Sequence, residues 1–80
     1  MGLPKHEANF YHFRRRLSER YRIWITREEY EKAIEDVRFG GPRYLIVKET
    51  NTRYLYWVTI KYKSLRVVYS SATKDLITVL

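Results

Sequence analysis

Phe10, Phe13, Leu17 and Tyr21 recur at spacings of 3, 4 and 4 residues, the period of one face of an α-helix. The pattern predicts a helix from about Glu7 to Arg20, with Arg14, Arg15, Arg16, Arg20 and Arg22 on its flanks and opposite face. Met1 to Lys5 read as a leader, with Pro4 suited to a first helical turn. Ile23-Trp24-Ile25 breaks the helical period and predicts a short extended connection. Thr26 and Glu29 then stand three residues apart, as in a capping box, with Ile25 and Tyr30 placed as its hydrophobic staple. Tyr30, Ala33, Ile34 and Val37 form the next helical stripe, and Gly40-Gly41-Pro42 stops it.

Beyond Pro42 the period changes from helical to two. Tyr44 to Lys48 predicts a first strand, and Thr50-Asn51-Thr52 a turn. Arg53 to Tyr62 alternates Tyr54, Tyr56, Val58, Ile60 and Tyr62 with Leu55, Trp57, Thr59 and Lys61, predicting a long strand. Lys63-Ser64 is the expected turn into a third strand, Leu65 to Ser71, and Leu76 to Leu80 is the fourth. Connections this short imply an antiparallel meander. The expected fold is α+β: one domain, residues 1–80, with two N-terminal helices packed on one face of a four-stranded antiparallel sheet. The other face would then be open, with Arg53, Lys61, Lys63, Arg66 and several tyrosines as the pool to line it.

Charge sharpens this picture. Sixteen Lys and Arg against nine Asp and Glu give a net charge of +7 on 80 residues. Such a field favours anionic partners. Arginine outnumbers lysine, which suits bidentate phosphate contacts. Five arginines fall within the nine residues from Arg14 to Arg22, interrupted by a single acidic residue, Glu19. With no cysteine, disulfides and thiolate zinc sites are excluded. No apolar run nears the roughly 20 residues that span a bilayer, so a cytoplasmic protein with no membrane partner is expected. There is no P-loop, no Gly-x-Gly-x-x-Gly, no serine nucleophile elbow and no metal cluster, so no cofactor is expected.

One resemblance spans almost the whole chain. His6 opening the first helix, Arg16-Leu17-Ser18-Glu19-Arg20, a second helix ending at Gly40, Val67-Val68-Tyr69 and Ile77-Thr78-Val79 resemble small members of the RelE, colicin and barnase-like toxin ribonuclease superfamily. The likeness implies a RelE-like fold and metal-free RNA cleavage. In that case His6 would be the base, Arg66 would neutralise the phosphate, and Tyr69 or Thr78 would position it or donate a proton. Arg14, Arg15, Arg16, Arg20, Arg22, Arg53, Lys61 and Lys63 would hold the nucleic acid. Set against this, Tyr69 alternates with Leu65 and Val67 as a core residue would, and Thr78 has ordinary strand propensity.

Three functions stay open on this footing. The first is a small basic nucleic-acid-binding protein, RNA favoured, that also acts as a toxin-type ribonuclease. The second is a non-catalytic phage or mobile-element regulator that coats nucleic acid or blocks a host nucleoprotein complex. The third is an interaction module that docks on an acidic partner, such as an antitoxin or immunity protein.

Overall fold

The computed structural model of the chain describes residues 4–40 and 44–80. Two helices are followed by four strands: α1 Lys5–Tyr21, α2 Arg27–Gly40, β1 Leu45–Lys48, β2 Arg53–Ile60, β3 Lys63–Ser70 and β4 Asp75–Val79. The strands form one antiparallel sheet in the order β1-β2-β3-β4. This is the expected α+β arrangement. Gly41, Pro42 and the leader residues Met1 to Leu3 lie outside the described residues.

Helix α1 begins two residues earlier than its apolar stripe suggests. Pro4 sits at the N-cap rather than inside the first turn, and its carbonyl accepts the Ala8 N–H at 2.9 Å. The early start brings His6 into the helix. At the other end Arg22 adopts the left-handed conformation, φ 57°, and its N–H bonds the Ser18 carbonyl at 2.9 Å. The capping box on α2 is formed in both directions. Thr26 N–H donates to Glu29 Oε1 at 3.0 Å, and Glu29 N–H donates to Thr26 Oγ1 at 3.2 Å. Ile25 and Tyr30 are both fully buried beside it. Helix α2 ends at Gly40, where a side chain has no room: a Cβ there would lie 2.6 Å from a ring carbon of Tyr44.

Both helices cover the same face of the sheet. Phe10, Phe13, Leu17, Tyr30, Ala33, Ile34 and Val37 meet Val58, Ile60, Leu65, Val67, Tyr69, Leu76 and Val79 in one core. Tyr30 donates its hydroxyl to the Leu76 carbonyl at 2.7 Å, so a large buried ring keeps its polar atom satisfied. Tyr54 and Tyr56 pack against this core, and Tyr69 is inside it. The open face is therefore not tyrosine-lined. It carries an apolar row, Val47, Leu55, Val68 and Thr78, in register across all four strands. Trp57 and Arg66 pair in the next row of β2 and β3.

The β2–β3 turn also departs from expectation. Lys61 and Tyr62 form it, with φ of 48° and 70°, while Lys63 and Ser64 are already in β3. Ile60 pairs with Lys63 across this two-residue loop. Two positive φ values are the mark of a type I′ hairpin, whose twist suits the strands. Neither side chain favours that conformation, so the burial of Ile60 and Leu65 on the core side imposes the turn against local preference. Tyr62 is fully exposed. Tyr62→Gly is expected to raise stability by about 0.5–1 kcal/mol in urea denaturation, through relief of the left-handed strain. A loss of stability would contradict the turn described here.

Candidate functional site

His6 projects from the first turn of α1 toward two carboxylates on different elements. Its Nδ1 bonds Asp75 Oδ1 at the start of β4, and its Nε2 bonds Glu31 Oε1 of α2 at 2.8 Å. Asp75 is 1% exposed. Its second oxygen accepts from Asn9 Nδ2 at 3.1 Å. Both ring nitrogens face carboxylate oxygens, an arrangement that favours the doubly protonated ring. The hydrogen bond to Asp75 is the main influence that raises the His6 pKa above its ordinary value; partial burial opposes it and Glu31 adds to it. A ring held this way has no free nitrogen with which to take a proton from a ribose hydroxyl.

The other expected catalytic residues lie elsewhere. Arg66 and Thr78 are on the open face, across the sheet from the helices that carry His6. Tyr69 is in the core, 8% exposed, and burial raises its pKa. The fold does not bring His6, Arg66, Tyr69 and Thr78 together. Asp75 and Glu31, neither of them singled out in the sequence, converge on His6, and Asn9 joins them through Asp75. The separations of 69 and 25 positions carry no local signal.

The cations divide into paired and unpaired groups. Arg15 is 3.7 Å from Glu19, and Lys61 is 3.5 Å from Glu29. Arg14 lies over the Trp24 ring. Arg16 has a buried Nε with no hydrogen-bond partner. Arg53 stands at the opposite end of β2 from the β2–β3 turn. Four others lie on chain segments that meet at one corner, where the Tyr21 hydroxyl at the end of α1 donates to the Leu80 carbonyl, with the Arg66 side chain on the open face of the sheet. Arg20 and Arg22 flank Tyr21 in the chain. The Lys63 ammonium lies 5.3 Å from the Tyr21 ring centroid. The Arg66 carbonyl accepts the Leu80 N–H at 3.0 Å. All four side chains are exposed, and none is in an ion pair among the described residues.

The acids are divided unevenly between the two helices. Helix α2 carries Glu28, Glu29, Glu31, Glu35 and Asp36 against Arg27, Lys32 and Arg38. Helix α1 carries Lys5, Arg14, Arg15, Arg16 and Arg20 against Glu7 and Glu19. The field is therefore polarised, and the positive end suits phosphates. No cluster of three or more metal-ligating side chains occurs among the described residues, and none of their helices is long and apolar enough to cross a membrane. Comparison with protein-family models, curated proteins and solved structures gives no match.

The clasp makes a signed prediction. A folded-state His6 pKa above the unfolded value means its charge stabilises fully below about pH 6.5, with loss as pH rises through the raised folded value. His6→Ala should cost about 1–3 kcal/mol at pH 6, where it strips a buried carboxylate of its charged donor, and less at pH 9. Urea midpoints at the two pH values check this. A cost that is the same at both would show that the charge of His6 does not matter.

Proposed function

We propose that this domain binds nucleic acid, single-stranded RNA foremost, through the cationic corner of Arg20, Arg22, Lys63 and Arg66, and does not cleave it. The meeting of the segments that carry these four exposed cations, at Tyr21 and Leu80, supports the reading. Arginine forks can grip phosphate oxygens in bidentate fashion, and a cluster with no internal counter-ion takes its counter-ions from the ligand. The engagement of His6 by Asp75 and Glu31 argues for binding without turnover. The RelE-type resemblance fits a nucleic-acid partner on its motifs alone, while its proposed catalytic set is dispersed across both faces of the sheet.

The affinity of labelled single-stranded RNA, followed by fluorescence anisotropy, should fall linearly on a log–log plot against salt, with a slope of about −0.7 per phosphate contacted. Arg66→Ala should make that slope shallower by about 0.7 and weaken binding at low salt. Arg53→Ala, at the other end of the sheet, should leave the slope as it is. A slope indifferent to salt, or equal effects from Arg53 and Arg66, would contradict the corner as the binding site. RNA incubated with the protein in EDTA should stay intact. Fragments that vanish with His6→Ala would overturn the non-catalytic reading.

A further inference from the structure

The Trp24 side chain stands out from the connection between the helices, and the residue is 58% exposed. The next residue, Ile25, is fully buried, so the backbone beneath the indole is anchored in the core. Arg14 of α1 covers one face of the ring, with its guanidinium carbon 3.5 Å from the ring centroid. Arg14 thus covers one face of the ring while more than half of the residue remains in water. Tyr11 is 49% exposed nearby, and Tyr11, Arg14, Arg15, Ser18, Glu19 and Trp24 line a shallow groove.

An indole so exposed adds little to the core, yet it is held in place from below and from one side. The groove also separates two kinds of nucleic-acid contact. Glu19, in its ion pair with Arg15, places a carboxylate in it, which disfavours a phosphate there and can accept from the amino or imino edge of a base. Arg22 stands two residues from Trp24 and leads to the cationic corner. A phosphate beside Arg22 therefore adjoins a position that itself favours a base. We infer that Trp24, braced by Arg14, is a stacking platform for an unpaired nucleobase of the single strand whose phosphates the corner holds. This rests on the nucleic-acid reading above and names the part of the ligand that the corner alone would not distinguish. Duplex RNA, with its bases stacked internally, has none to offer the platform.

The chain has two tryptophans, so a Trp57→Phe background leaves Trp24 as the only indole reporter. In that background, a single-stranded RNA 12-mer and a duplex of the same length are titrated, with Trp24 emission and RNA anisotropy read together. Single-stranded RNA should quench Trp24 to saturation along the anisotropy curve, while duplex RNA binds through the corner and leaves the emission nearly unchanged. Adding Trp24→Ala should weaken single-strand binding about 5- to 100-fold and duplex binding little. Trp24→Phe, which keeps a stacking ring, should retain most of the affinity. Anisotropy showing single-strand binding with Trp24 silent would overturn the platform and leave the corner standing. Equal weakening of single strand and duplex by Trp24→Ala would do the same. Failure of both RNAs to bind would overturn the corner, and the platform with it.

Discussion

Asp75 is a carboxylate buried almost completely where β4 begins, and an isolated charge there would be costly. Its two oxygens are met by His6 and Asn9, both from the first turns of α1. That contact fixes the start of α1 against the edge strand. The same histidine reaches Glu31 and so ties α2 into the joint. From this anchor α1 runs along the sheet until the Tyr21 hydroxyl meets the Leu80 carbonyl at the far end of β4. One helix is thus pinned to one strand at both ends, and the buried stripe between needs only complementary shape.

The consequence for function is a division of labour by charge. Asp75 and Glu31 are committed to His6, and Glu29 to Lys61 and to capping. Arg20 and Arg22 at the end of α1 are exposed and in no ion pair among the described residues. A histidine used as the joint is not available as a base, which is why the proposed role is binding. The open face contributes less than an exposed sheet might. Leu55 and Val68 shield one another in its apolar row, and the aromatic side chain beside them is Trp57 rather than a tyrosine.

Local signals carried much of the fold. The stripe Phe10, Phe13, Leu17 specified the buried face of α1, and Thr26 with Glu29 marked the start of α2 through bonds that close within four residues. Alternation in β2 separated Val58 and Ile60 from Trp57 and Thr59 correctly. It could not say where the strand stops, because Lys61 and Tyr62 have no turn preference and are driven into positive φ by the pairing of Ile60 with Lys63. The site was less legible. His6 was visible as the residue that opens the first helix, but its partners Glu31 and Asp75 belong to other elements and follow only from the packing. The four corner cations were each noticeable as charges. The meeting of the segments that carry them depends on the Tyr21–Leu80 contact, which spans 59 positions and has no motif.

The central claim is that His6 is a structural joint held between two carboxylates and not a free base. The direct measurement is a pH titration of the His6 imidazole 15N shifts. The account predicts a His6 midpoint above the ordinary histidine value of 6.5. A midpoint at or below that value would contradict it and return His6 to the list of candidate bases.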